Sequence, residues 1–460
     1  MKKFKKNEIY TVRIEDMTDL GFGVGHIEGA AIFIADTVMG DLVRASIIKV
    51  NSSYLVGRAL EYLEYSDMRC EPRCSEVGCR SCAYKKIAYS DELKLKEEGV
   101  RRLFSREAVG SVAVAPITAS PREHRYRNKA QYPITKTADG YAVGFFAPKS
   151  HRVTPVSDCP LTPAVFSEIA KVLCDYFSEY DLPVYDEERG EGILRHVYLR
   201  RGEVSGEILL TLVVTSFDLP DISSLAEKIK NSFPEVVGIL LNKNDKATNV
   251  VLGDEYKTLC GVPYIYDTLA GVRLKISAPS FYQVNHSACE LLYAKARELA
   301  APTKGDTLLD LYCGAGSIGL SMARDAGEVI GIEIVEDAVR CAAENARMNG
   351  IDNARFFTGD AASCERLLER AERELGRSIS PDIIILDPPR AGCAEELIQF
   401  TAKLNPKRIV YISCNPKTLA RDVEIYRGLG YSADTVWPFD LFPMTGHVES
   451  VVCLKRQIQQ

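Results

Sequence analysis

No long apolar run occurs in these 460 residues. The longest uncharged apolar stretch, ILLTLVVTSF at 208–217, is half the length of a membrane span and reads as a buried strand. The basic start, MKKFKKNEIY, meets Asn7 and Glu8 where a secretory signal needs its apolar stretch, so the chain is expected in the cytoplasm, with no membrane. An excess of positive charge is missing too. Lys and Arg number 57 against 63 Asp and Glu, a formal charge of −6, which excludes a histone-like protein that holds nucleic acid by bulk charge. Internal repeats and low-complexity segments are also lacking. With 46% hydrophobic and 26% charged residues, the chain is an ordinary globular protein of about two to four domains, neither disordered nor fibrous.

What is present is unevenly spread. Residues 1–150 carry 24 basic and 19 acidic groups, and the rest of the chain is acidic, a pattern that suits an anionic partner met locally. Over 9–64, short β-branched runs alternate with glycine turns, the pattern of a small all-β barrel. Residues 65–105 hold a cysteine cluster followed by the helical period of YSDELKLKEEGVRRLF, and 111–265 mix strands with helices. From about residue 287 helices and strands alternate strictly (TLLDLYC, EVIGIE, ARFFTG, DIIILD, RIVYIS), which predicts crossover connections and a parallel sheet covered on both faces.

The first strand of that region ends in DLYCGAGSIGL, 310–320, with G-x-G-x-x-G at Gly314, Gly316 and Gly319. Such glycines turn the backbone sharply and bring it close to a ligand, and a dinucleotide is one reading. Asp310 and Glu333 fit S-adenosylmethionine better, because its ribose hydroxyls want a carboxylate and its sulfonium is cationic. Either cofactor class can use Glu333, so two further strand ends decide. LDPPRAG, 386–392, puts Asp387 at the carboxyl edge of the sheet, and SCNP, 413–416, puts Cys414 on the same edge. The tail LFPMTGHVESVV adds His447 and Glu449. A thiol, a carboxylate and a methyl donor together suit one reaction. C5 of a pyrimidine is too weak a nucleophile to take a methyl group until a thiolate adds to C6, and a base must afterwards remove the C5 proton. Cys414 is the candidate nucleophile and Glu449 the candidate base.

RCEPRCSEVGCRSC, 69–82, brings Cys70, Cys74, Cys79 and Cys82 within thirteen residues, a spacing for zinc or an iron-sulfur cluster rather than for core filling. HRYRNKAQYP, 124–133, interleaves Arg125, Arg127 and Lys129 with Tyr126 and Tyr132, and ILRHVYLRR repeats the theme with Arg195, His196 and Arg200. Both suit phosphates and bases, or else are strands with one solvated face.

On the motifs FYQVN (281–285), DLYCGAGSIGL, VIGIE, LDPPRAG, YISCNP and FPMTGHVES, in that order, the chain resembles the RNA uracil-5-methyltransferases of the TRAM-containing, iron-sulfur-bearing kind that modify 23S ribosomal RNA. The resemblance spans nearly the whole length. It implies an OB-like TRAM barrel over 1–64, a central α+β domain with the iron-sulfur cysteines over 65–270, and a doubly wound, Rossmann-like methyltransferase domain over 271–460. It further implies that Gln283, Tyr312, Glu333, Asp360 and Asp387 contact S-adenosylmethionine, with Cys414 as nucleophile and Glu449 as proton acceptor. A [4Fe-4S] cluster is implied on Cys74, Cys79, Cys82 and the distant Cys159, with Cys70 left outside the motif. Two details depart from the family pattern: four residues rather than five separate Cys74 from Cys79, and Arg80 and Ser81 stand where a glycine pair is usual. A monomer acting on 23S ribosomal RNA, or alternatively on a transfer RNA loop, is the expected setting.

Overall fold

The structure, a computed structural model, describes residues 4–457 apart from 77, 106–108, 110–111 and 149. Strands Ile9–Arg13, Asp16–Met17, Phe22–Ile27, Ala30–Ala35, Leu42–Val50 and Leu55–Glu64 form a six-stranded N-terminal sheet. Period-two alternation turns Val12, Ile32, Ile34, Val43 and Ile47 into one core and leaves Arg13, Arg44 and Arg58 outside. Gly25 interrupts a strand because a Cβ there would stand 2.4 Å from a Val12 methyl.

A seven-stranded mixed sheet follows, from Lys129–Thr137 to Glu255–Gly261. Helices Ala164–Glu179 and Ile222–Ser232 cover one face, where Phe166, Phe177, Leu199 and Leu212 pack. The apolar run over 208–217 supplies strand Ile208–Val214, buried at every position. From the opposite face Tyr198, Leu209 and Val213 join the C-terminal core together with the hairpin Tyr264–Leu269 and Val272–Ser277. No helix among the described residues is long and apolar enough to cross a membrane.

The C-terminal sheet has eight strands in the order Ala354–Thr358, Glu328–Glu333, Thr307–Leu311, Ile383–Leu386, Arg408–Ser413, Glu449–Arg456, Tyr431–Phe439, Ala113–Val114. The first five are mutually parallel, and Glu449–Arg456 inserts antiparallel beside Arg408–Ser413. Strand order reverses between Thr307–Leu311 and Ile383–Leu386, the switch point at which doubly wound sheets open a crevice at their carboxyl ends. Helix Tyr89–Phe104, although far upstream in sequence, packs Val100 and Phe104 into the same core as Ile384 and Tyr411.

The helices that frame the crevice start where the sequence supplies caps. Asn285 accepts a hydrogen bond from the Ala288 N–H at the head of His286–Ala300. Asn415 accepts one from the Lys417 N–H at the head of Pro416–Gly428, where Pro416 occupies the first turn and gives up no hydrogen bond.

Candidate active site

The glycine turn after Thr307–Leu311 has its backbone donors already engaged. Gly314 N–H donates to Glu333 Oε2 at 3.1 Å, Gly319 N–H to Asp310 Oδ2 at 2.9 Å, and Gly316 N–H to the Cys313 carbonyl at 2.8 Å. A pyrophosphate would find these donors taken and carboxylates on either side, so the turn suits a cation, as S-adenosylmethionine carries. The glycines at 316 and 314 have φ of 81° and 54°, and Tyr312 adopts 63°, a left-handed conformation rare outside glycine. Asp310 is fully buried, and its Oδ1 has no hydrogen-bond partner among the described residues. Burial pushes its carboxyl up to about 7, the Gly319 N–H opposes this, and Asp387 and Glu333 add to it, so the three carboxylates share one field.

At the next two strand ends the candidate nucleophile and the candidate base come together. Ser413 stands opposite Ser450 in the antiparallel pair, so Cys414 and Glu449 lie one residue past the same rung on neighbouring strands. Cys414 is half-buried, and its thiol is pushed up to about 11 by burial and by Glu449 and Asp387, against the pull of Arg390. Glu449 is 4% exposed; burial and Asp387 raise its carboxyl to about 8, again opposed by Arg390. Burial alone raises Asp387 to about 7. Arg390 donates from its guanidinium to the His447 ring at 3.0 Å. His447 is held neutral, pushed down to about 4 by burial and by Arg390. The two loops are tied together: Asn415 Nδ2 donates to the Arg390 carbonyl at 2.9 Å and Arg421 to the Ala391 carbonyl at 3.0 Å.

The remaining predicted donor contacts are less concentrated. Tyr312 lies against the core beside Asp360, one of the groups that raise its hydroxyl after burial. Gln283 is buried and its carbonyl accepts from Asn128 Nδ2 at 2.9 Å, while no interaction among the described residues joins its side chain to the carboxylates. Two residues escaped sequence reasoning. Arg390 stood inside LDPPRAG unremarked, although an arginine between two acidic strand ends was a usable signal. Tyr293, whose hydroxyl bonds the Ser317 hydroxyl at 2.9 Å at the head of the glycine-turn helix, gave none, because a helical tyrosine reads as core.

Cys74, Cys79, Cys82 and Cys159 line one cavity of about 290 Å³, with Arg127 and Lys129 in its wall. Burial and the neighbouring thiols of Cys159, Cys79 and Cys74 push Cys82 up to about 12, with Arg127 opposing. Cys70 stands apart: its charged neighbours are Arg73, Glu71 and Glu123. Among the described residues no three His, Cys, Asp or Glu side chains are arranged to hold a single metal ion.

The expectation that the second basic stretch presents its charges to an anion is corrected, and in the first Arg125 is already engaged within the protein. Arg125 pairs with Asp158 and donates to the Cys159 and Thr162 carbonyls. Arg195, 4% exposed, donates to Glu187 and to the Asn244 and Lys246 carbonyls. Arg200, 1% exposed, donates to Tyr198 and to the Ala278 and Ser280 carbonyls. Tyr126, Tyr132 and His196 are buried. Strand Leu194–Arg201 is covered on both faces and its guanidinium groups tie loop carbonyls to it, whereas His124 and Gln131 of the first stretch are exposed and Arg127 and Lys129 are half-buried.

Among known proteins, the family model described as tRNA (Uracil-5-)-methyltransferase matches residues 88–457, and the TRAM domain model matches residues 3–60. An uncharacterized RNA methyltransferase of Halalkalibacterium halodurans is 38% identical over 98% of this chain and 97% of its own. One of Clostridium acetobutylicum is 36% identical over 98% of each. A crystal structure of the Pyrococcus abyssi tRNA (uracil-54, C5)-methyltransferase in complex with S-adenosyl-L-homocysteine is similar at 27% identity, with a TM-score of 0.76 over 96% of this chain and 99% of that one.

Proposed function

The chain belongs to the tRNA (uracil-5-)-methyltransferase family, with a TRAM domain in front, and from that premise we propose a covalent mechanism for this S-adenosylmethionine-dependent RNA methyltransferase. The observation that carries it is the adjacency of Cys414 and Glu449 past the Ser413–Ser450 rung, beside the carboxylate-ringed crevice. Cys414 adds through sulfur to C6 of uracil, and the electron pair moves to C5 and O4 as an enolate. C5 then takes the methyl group from the sulfonium of the donor, whose S–CH3 bond breaks with its electron pair left on sulfur, so that neutral S-adenosylhomocysteine departs. Glu449 accepts the C5 proton, the C5–H electron pair re-forms the C5–C6 double bond, and the C6–S bond breaks to return the thiolate. The Cys414 thiol must ionise first, and Arg390 favours that form. Glu333, Asp387, Gln283, Tyr312 and Asp360 are assigned to the donor. The uracil has to leave its stack to bring C6 to sulfur, which favours a loop or a flipped base.

The substrate proposed is 23S ribosomal RNA, on the strength of the cysteine module joined to a TRAM domain. A transfer RNA loop is the second reading, favoured by the near-complete overlap with the Pyrococcus abyssi enzyme, whose substrate is transfer RNA. The divisions at 64 and 270, the monomeric state and a cytoplasmic setting belong to the same proposal. So does a [4Fe-4S] cluster on Cys74, Cys79, Cys82 and Cys159. Four thiols around one cavity with two cations in its wall fit an anionic thiolate cluster, which keeps its ligands farther apart than a single ion does. Its contribution there would be to staple the loop, as a structural metal does.

The test is transfer of labelled methyl groups from S-adenosylmethionine to separated ribosomal and transfer RNA lacking 5-methyluridine, with identification of the product nucleoside. Label as 5-methyluridine in large-subunit RNA alone supports the first reading, and label in transfer RNA alone supports the second. No label in either overturns both.

A further inference from the structure

The segment 440–448, which leads into Glu449, is gripped from four directions. Lys96, whose side chain is 1% exposed in the middle of helix Tyr89–Phe104, donates to Asp440 Oδ1 at 2.7 Å and to the Phe442 carbonyl at 3.2 Å. It also donates to Glu92 Oε1 at 2.7 Å, and Glu92 Oε1 accepts the Met444 N–H at 2.8 Å while Glu92 Oε2 pairs with Arg73 of the cysteine loop. The Met444 carbonyl accepts the Tyr84 N–H at 2.9 Å, and the Pro443 carbonyl accepts the Tyr126 hydroxyl at 3.0 Å. Asn285 Nδ2 donates to the Leu441 carbonyl at 3.0 Å. Met444 itself has a φ of 66° and is fully buried, packed with Cys79, Cys82 and Cys159. From the TRAM side the backbone of Asp19 comes so close to Gly446 that a Cβ there would stand 2.3 Å from its Cα.

A buried lysine is costly unless every proton is used, and this one is used on a loop 344 residues away. We propose that Lys96 is a positioning residue for the methyl-transfer cycle: it clamps the segment 440–448 against the helix and the cysteine loop, and so sets where Glu449 meets the C5 proton. This rests on Glu449 being the base. Lys96 touches neither Cys414 nor the carboxylates of the crevice, so its loss leaves donor binding and thiolate addition in place and slows the release step.

Lys96→Met and Asp440→Asn are the variants to compare, with Glu449→Gln beside them. Single-turnover and steady-state rates on RNA lacking 5-methyluridine would be read together with protein-RNA adduct on a denaturing gel. For both clamp variants kcat should fall about tenfold or more, KM for S-adenosylmethionine should move less than about threefold, and adduct should accumulate as it does in Glu449→Gln. Should Lys96→Met fail to fold, Asp440→Asn, nearly isosteric, carries the same test. Wild-type turnover in a folded clamp variant overturns the proposal, and so does a rate loss without adduct, which places the defect before methyl transfer. Wild-type turnover of Glu449→Gln would instead overturn the base assignment on which the clamp depends.

Discussion

Cys414, one residue past strand Arg408–Ser413, and Glu449, the first residue of the antiparallel strand Glu449–Arg456, flank the Ser413–Ser450 rung, so the sheet brings a thiol 35 residues earlier in the chain beside a carboxylate. The consequence for chemistry is that removing either side chain should leave the other in place, and each step can be examined separately.

Replacing Cys414 by Ala should abolish formation of 5-methyluridine, a loss of at least about a thousandfold, because uracil C5 has no other route to nucleophilic character. With the donor placed, as proposed, against the glycine turn and its carboxylates, affinity for S-adenosylmethionine should stay within about threefold by calorimetry. Measurable turnover with intact donor binding sinks the covalent mechanism.

Replacing Glu449 by Gln removes the proposed acceptor for the C5 proton but keeps the shape of the site. Addition and methyl transfer should go forward once, and the methylated RNA should remain attached to Cys414. A slow-moving protein-RNA band that carries the label and survives denaturation is the expected result. Normal turnover with no such band means that another group takes the proton.

The pH dependence follows from three raised carboxyls, Asp310 and Asp387 at about 7 and Glu449 at about 8. Their unfolded values are near 4. Between these limits the folded protein holds more protons than the unfolded one, so stability of the donor-free protein falls as pH rises from about 4 to about 8 and levels off above. A sulfonium placed among the carboxylates favours their charged forms. S-adenosylmethionine should therefore raise the melting temperature more at pH 8 than at pH 6, and binding at pH 7 should release protons into the buffer. S-adenosylhomocysteine, neutral at sulfur, should do neither to the same degree. Equal behaviour of the two ligands would remove the carboxylates from the neighbourhood of the sulfonium.

Much of this was legible in the sequence, for a physical reason. In an alternating region each strand end is a place on one crevice edge, so Glu333, Asp387 and Cys414 were identifiable from their positions after apolar runs. The all-buried strand Ile208–Val214 was readable from composition alone. What failed was the sign of exposure on the second basic stretch. Arg195 and Arg200 lie in a strand with both faces covered, and nothing local tells an arginine that staples carbonyls from one that meets phosphate. The pairing of Lys96 with Asp440 was equally hidden, because it joins a helix to a loop through tertiary packing that carries no periodic signal.

The cysteine set admits a sharper test than presence or absence of metal. Cys74 lines the cavity with Cys79, Cys82 and Cys159, whereas Cys70 sits among charged groups of its own. Protein purified without oxygen should contain about four irons and absorb broadly near 400 nm, as thiolate-bound clusters do. Cys70→Ser should keep both signals, and Cys74→Ser should lose most of each, since a serine hydroxyl does not ionise to replace a thiolate. If Cys70→Ser is the variant that loses iron, the loop reaches the cavity by its earlier cysteine, and the four-residue gap before Cys79 is not the ligand spacing. Stoichiometric zinc without iron in the unaltered protein would overturn the cluster, since a single tetrahedral ion needs its four thiolates closer together.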